Sequence, residues 1–151
     1  MKYYLAYGSN LNKAQMGFRC PGAKAVGTAV LGNYALMFKG SGTGAYLTIE
    51  PKFGERVEVG VWEVSERHER LLDRYEGYPT FYYKKDVSVA VTLADGNVKE
   101  IPAFVYIMRE NRPYGLPSAE YVATCKIGFE DFGFDLDNLG KALERTTEKV
   151  L

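Results

Sequence analysis

Apolar residues alternate with polar or small ones along Val57-Glu58-Val59-Gly60-Val61-Trp62-Glu63-Val64, a period of two that predicts a strand with one buried face. Aromatic and aliphatic runs of strand character also occupy residues 2–7, 25–31, 34–38 and 46–50. Gly32-Asn33 separates two of these runs, and the glycine-rich Gly40-Ser41-Gly42-Thr43-Gly44 reads as a loop before the last. Residues 81–93 and 98–108 flank Asp95-Gly96, the strongest short hairpin signal in the chain, and Pro102 marks an edge or a bulge in the second of them.

After Ser65 the period becomes helical. Ser65 suits an N-cap, Glu66 and Glu69 suit the positive helix end, and His68, Leu71, Leu72 and Tyr75 share one face. Gly77 ends this helix, with Pro79 beyond it. A short helix over residues 13–18 takes its cap from Asn10 or Asn12 and stops before the turn Pro21-Gly22. Two more helices are predicted over residues 118–127 and 136–149. Strands thus fill the first two-thirds and helices the last third, without regular βα alternation. That order predicts an α+β fold built round a small barrel rather than a doubly wound sheet.

A length of 151 residues fits a single domain, residues 1–151. Nineteen Lys and Arg balance nineteen Asp and Glu, so no net charge draws the chain to nucleic acid or to an anionic membrane. Twelve Tyr, eight Phe and sixteen Gly suit strands packed on aromatic side chains and joined by tight turns. Cys20 and Cys125 lie too far apart in sequence for a CxxC motif and read as reduced, buried thiols. No secretory apolar segment follows Met1 and no apolar run approaches a membrane span, so the cytosol is the expected compartment. A homodimer is permitted but not required.

Four features carry candidate chemistry. Gly40 to Ala45 satisfies G-x-G-x-x-A, but the strand expected at Tyr46 replaces the helix N-terminus that a dinucleotide phosphate needs, so it reads as a loop. His68 is the only histidine, which removes a multi-histidine metal site, and nothing near it supplies a nucleophile. It reads as structural, within a solvated helix face Glu66-Arg67-His68-Glu69-Arg70. Tyr7-Gly8-Ser9-Asn10-Leu11 joins a strand to a helix start. Gly8 is expected at positive φ, and the local N–H groups either form a nest for a carboxylate or an oxyanion or make an ordinary turn. Glu76 ends a helix between two tyrosines, where the helix dipole and aromatic burial would raise its pKa; the alternative is a carboxylate facing solvent.

Together, Tyr7-Gly8-Ser9-Asn10-Leu11 and Leu72-Asp73-Arg74-Tyr75-Glu76-Gly77-Tyr78-Pro79 resemble the γ-glutamylcyclotransferase-like family in order and spacing. The likeness continues through Ala29-Val30-Leu31, Val59-Gly60-Val61-Trp62, Tyr106-Ile107-Met108 and the segment from Pro117 to Gly128 containing Tyr121. It implies a small mixed β-barrel with flanking helices, neither metal nor organic cofactor, and a small γ-glutamyl amide cyclised to 5-oxoproline. By the same resemblance Glu76 matches the proton-shuttling glutamate. Tyr4, Leu5, Ala6, Tyr7, Gly8, Ser9 and Asn10 match the segment that binds the γ-glutamyl group, and Tyr106 a tyrosine of the same site. Tyr7 and Tyr106 would fix the glutamyl chain by packing and hydroxyl contacts, while Tyr75, Gly77 and Tyr78 would complete a mostly uncharged pocket. Residues 40–44 and 78–83 are candidate walls for the leaving amine. A non-catalytic metabolite- or peptide-binding domain and a γ-glutamyl amidohydrolase are the competing readings.

Overall fold

The alternating segment at residues 57–64 becomes the strand around which the others assemble. The computed structural model describes residues 1–41 and 44–151. In it, β1 (Lys2–Ala6) pairs antiparallel with β3 (Gly44–Val64), Tyr4 opposite Trp62, and parallel with β5 (Val98–Met108), Tyr4 opposite Phe104. β3 also pairs with β2 (Lys24–Ser41), and β4 (Tyr82–Leu93) pairs with β5 along its whole length. Contacts of β2 with β4 at Gly27 and Thr28 close the ring in the order β1-β3-β2-β4-β5, giving the mixed barrel the sequence implied. Gly27 makes that seam possible, since a Cβ there would lie 2.3 Å from the carbonyl oxygen of Thr92.

Two expected strand breaks turn out to be features within strands. β2 runs through Gly32-Asn33, and Asn33, at φ 62°, sits at a register shift between Gly32 and Tyr34, where residues 52–55 of β3 bulge opposite it. Asparagine tolerates the left-handed conformation, and here its side-chain oxygen also accepts from the Gly54 N–H at 3.0 Å. Of the glycine-rich stretch, Gly40 and Ser41 continue β2 and Gly44 begins β3, so the ladder extends into what was expected as loop. Gly42 and Thr43 lie outside the described residues. Pro102 does sit on an edge: it faces Ser88 of β4, while β1 meets β5 only at Phe104 and Val105.

The helices start where their caps put them. α1 (Lys13–Arg19) is capped by Asn12, whose side chain accepts from the Gln15 N–H. α2 (Glu66–Glu76) opens with Ser65 and His68 exchanging hydrogen bonds. His68 is more buried than a solvated face allows: its Nδ1 accepts from Ser65 and its Nε2 donates to the Pro21 carbonyl at 2.6 Å, which fixes a neutral tautomer in a structural role. α3 (Ala119–Asp131), capped by Ser118, runs four residues past the expected end at 127, and α4 (Asp137–Val150) follows. Buried Thr146 of α4 accepts from the Phe38 N–H at 3.0 Å, satisfying a donor on β2. Cys20 and Cys125 are buried and unpaired. Among the described residues no helix is long and apolar enough to cross a membrane.

Candidate active site

Past Ala6 the chain leaves β1 and folds at once into a 3-10 turn, Ser9–Leu11. That turn is clamped by the absence of two side chains. A Cβ on Gly60 of β3 or on Gly128 of α3 would lie 2.7 Å from the Leu11 side chain, so glycine at both positions lets Leu11 seat between sheet and helix. Trp62 donates its indole N–H to the Asn10 carbonyl at 3.0 Å, and Asn12 donates its amide to the Thr124 carbonyl at 3.2 Å. Among the described residues no group accepts from the N–H groups of Gly8, Ser9 and Asn10, which lie along a cavity of about 410 Å³.

Gly8 corrects one expectation. Its φ is −129°, so positive φ is not what selects glycine here. Space is: a Cβ would sit 3.2 Å from the Tyr121 hydroxyl, which accepts from the Leu47 N–H at 3.0 Å. Gly8→Val should therefore push Tyr121 from the cavity wall, and kcat/KM is expected to fall about tenfold or more, with the melting temperature as control for folding.

Glu76 closes α2 through a left-handed Gly77 at φ 65°. The Tyr78 N–H reaches the Asp73 carbonyl at 2.9 Å and the Gly77 N–H the Arg74 carbonyl at 3.3 Å, a Schellman ending that fixes where the helix stops. Glu76 faces the cavity opposite the 3-10 turn, and Asn10 Nδ2 donates to its Oε1 at 3.5 Å. Burial pushes the carboxyl up to about 8, against the opposing pull of the Arg19 guanidinium. The direction agrees with the sequence reading, and burial is its cause.

Around this pair stand seven tyrosines: Tyr4, Tyr7, Tyr46, Tyr75, Tyr82, Tyr106 and Tyr121. Most of their hydroxyls serve the protein. Tyr7 donates to the Tyr106 carbonyl at 2.7 Å, and Tyr106 donates to Asp73 at 2.6 Å. Asp73 in turn holds Lys84 at 3.0 Å, which with Lys2 also binds Glu69, so this face of α2 is a charge network rather than idle solvated residues. Tyr7 and Tyr106 thus contribute rings and oxygen lone pairs to the cavity, while the protons expected to reach a ligand are spent internally.

Of the residues singled out from sequence, Tyr4, Leu5, Tyr7, Gly8, Ser9, Asn10, Tyr75, Glu76, Gly77 and Tyr106 all line the cavity. Ala6 does not; as the last residue of β1, opposite Gly60, it belongs to the core. Tyr78 also falls outside, exposed, with Lys84 over its ring at 4.2 Å. The segment 78–83 does supply Phe81 and Tyr82. Sequence reasoning missed Tyr46 and Leu47 of β3, Arg74, and Tyr121 of α3 as cavity residues. Only the barrel's closure brings β3 and α3 to this mouth.

Comparison with known proteins finds relatives in the family that the motifs resemble. The family model described as "Gamma-glutamyl cyclotransferase, AIG2-like" matches residues 4–123. A human protein, Gamma-glutamylcyclotransferase, is 31% identical over 141 residues, covering 89% of this chain and 73% of the relative. Its bovine namesake is 32% identical over 143 residues with the same coverage. A solved structure named Gamma-glutamyl cyclotransferase superposes with a TM-score of 0.80 at 30% identity, over 93% of this chain and 85% of the other.

Proposed function

The chain belongs to the gamma-glutamyl cyclotransferase, AIG2-like family, and we propose that it cyclises a γ-glutamyl amide to 5-oxoproline with Glu76 as the group that carries the protons. The observation behind the assignment is a half-buried carboxyl raised to about 8 that lines the same cavity as a turn whose N–H groups are unspent. A site that merely bound an anionic metabolite would lose affinity above about pH 8, where this carboxyl ionises.

The nucleophile is the substrate's own α-amine, so the protein supplies conformation and proton transfer. Glu76 as carboxylate takes a proton from the α-ammonium, and the freed amine attacks the γ-carbonyl carbon, placing charge on its oxygen. In this reading the N–H groups of Gly8, Ser9 and Asn10, residues that line the cavity, hold that oxygen or the substrate's α-carboxylate. When the oxyanion collapses, the C–N bond to the leaving amine breaks. Two protons pass in all from the attacking to the departing nitrogen, and Glu76 ends as it began. No water is consumed. Incubating the protein with γ-glutamyl amino acids and γ-glutamylamines, with separate assays for 5-oxoproline and glutamate, tests the reading. Ring product is the expected outcome; glutamate alone would mark an amidohydrolase, and no turnover a binding domain.

Arg74 lines the cavity from the exposed last turn of α2, and among the described residues no carboxylate pairs with it. A cation there suits a leaving group that itself carries a carboxylate, so we place γ-glutamyl amino acids ahead of simple γ-glutamylamines. Arg74→Ala should raise KM about tenfold for a γ-glutamyl amino acid and leave KM for a γ-glutamylamine unchanged. Equal effects on both would remove Arg74 from leaving-group selection. Two buried, unpaired thiols suit a reducing compartment, and the cytosol is the location proposed.

A further inference from the structure

One half-buried side chain beside the site stays out of this account. Arg19, at the end of α1, lies with its guanidinium carbon 3.5 Å from the centre of the Tyr75 ring, holds Gln15 Oε1 at 3.2 Å, and donates to Asn10 Oδ1. A guanidinium can only donate, so the Asn10 atom it touches must be the carboxamide oxygen. The Asn10 NH2 is thereby turned the other way, where it donates to the Tyr4 hydroxyl at 2.9 Å and to Glu76 Oε1 at 3.5 Å. The Asn10 backbone is fixed independently by Trp62, so rotation of the carboxamide is the one freedom left, and Arg19 removes it.

The consequence reaches Tyr4. Its ring is 4% exposed, it lines the cavity, and its oxygen already accepts from Asn10. Among the described residues no group accepts the Tyr4 proton, whereas the hydroxyl protons of Tyr7, Tyr82 and Tyr106 are each taken by a named carbonyl or carboxylate. A chain of donors therefore runs from Arg19 through Asn10 to Tyr4, and each link polarises the next toward a proton offered in the cavity.

Building on the cyclotransferase reading, we propose that Arg19 is a positioning residue that, through Asn10, makes the Tyr4 hydroxyl a hydrogen-bond donor to the γ-carbonyl oxygen as it becomes an oxyanion. If Asn10 flipped, its oxygen would face Glu76 and would take the Tyr4 proton for itself. Arg19 excludes that arrangement, and its charge also favours the carboxylate form of Glu76. The other charged or titratable groups facing Glu76 are Arg74 and Tyr75 on its own helix, Tyr4 of β1, Tyr7 just beyond it, Tyr82 of β4, Tyr106 of β5 and Tyr121 of α3.

The test is a double-mutant cycle with Tyr4→Phe, Arg19→Met and the pair on kcat measured above the Glu76 titration, where the carboxyl is ionised in every variant, melting temperatures confirming folded protein. Tyr4→Phe should lower kcat about 10²-fold, the scale of one oxyanion donor, with KM within about twofold. Arg19→Met should lower kcat at least about tenfold, and the pair should be no slower than Tyr4→Phe alone, because both remove one arrangement. Losses that multiply, or an Arg19→Met effect confined to KM, would overturn the proposal. A readout independent of turnover is NMR of the Asn10 side-chain NH2 and of the Glu76 carboxyl. Arg19→Met should shift the NH2 resonances and move the Glu76 titration to higher pH. If neither moves, Arg19 does not position Asn10. If both move in a protein that makes no 5-oxoproline from any γ-glutamyl amide, the positioning stands and the cyclotransferase reading fails.

Discussion

Glu76→Gln is expected to lower kcat for 5-oxoproline formation by about 10³-fold or more while making the protein harder to unfold at alkaline pH. The first effect follows from removing the only group in the proposed mechanism that can both take and return a proton, a contribution of about 10²–10⁴-fold for general acid–base catalysis. The second follows from the raised pKa, from 4.5 to about 8 in the folded protein. Below 4.5 the carboxyl is protonated in both folded and unfolded chains and burial of the neutral acid carries no ionisation penalty. Between 4.5 and about 8 the unfolded chain releases the proton while the folded one retains it, so stability falls as pH rises. Glutamine has no proton to release. Wild type and variant should therefore melt together near pH 4, and the variant should melt higher near pH 9. Since the carboxylate must be present to accept the first proton, wild-type kcat/KM should decline as pH falls below about 8, rather than below the ordinary carboxylate range. A variant that melts below wild type at both pH values, or retains ring-closing activity, would show that Glu76 is not a buried base held at the expense of stability.

Gly128→Ala should damage stability and activity together, although residue 128 lines no part of the cavity. A Cβ at 128 would stand 2.6 Å from the Asn12 amide nitrogen and 2.8 Å from the Leu11 carbonyl carbon. Both are backbone atoms, so no flexible side-chain end can yield; either α3 moves away or the 3-10 turn shifts. Overpacking of this kind costs about 1–3 kcal/mol, several degrees in melting temperature for a chain of this size. A turn displaced by about 1 Å carries Ser9 and Asn10 with it, and misplacement on that scale costs about 10²-fold in rate. Gly140→Ala on α4 is the matched control: nothing lies within 4 Å of its Cβ, so helix propensity alone should leave it neutral or slightly stabilised. Full activity in Gly128→Ala would mean that the turn is held by Trp62 and by the Asn12–Thr124 hydrogen bond without the close packing at residue 128.

What the sequence revealed and what it hid divide along the range of the interactions. Short-range signals were legible: the period of two at residues 57–64, Asp95-Gly96 between β4 and β5, and the caps at Ser65 and Ser118 each rest on contacts within a few residues. Gly8 is legible only for the wrong reason, and Gly60 and Gly128 carry no local signal, because their reasons are distant. Gly8 makes room for Tyr121, and Gly60 and Gly128 make room for Leu11, across separations that no local pattern records. Gly32-Asn33 was correctly seen as an irregularity, but a bulge and a strand end carry the same local signature, and only the continuing ladder to β3 tells them apart. Of the cavity, the parts carried by β1 and α2 were visible through motif and resemblance. Tyr46 and Tyr121 came from elements whose convergence depends on barrel closure, and Arg19 acts through a carboxamide whose orientation no sequence states.

The placement of β1 has a bearing on how the enzyme comes to exist in the cell. The strand that leads into the proposed substrate-binding turn precedes its lateral partners, residues 60–64 and then 104–105, along the chain, and the last clamp on its turn comes at residue 128. On the ribosome Glu76 and the residues of the turn are therefore both present before they can be held together. A chain cut off after β5 would carry both motifs without the α3 packing that seats the turn, and is expected to show no turnover.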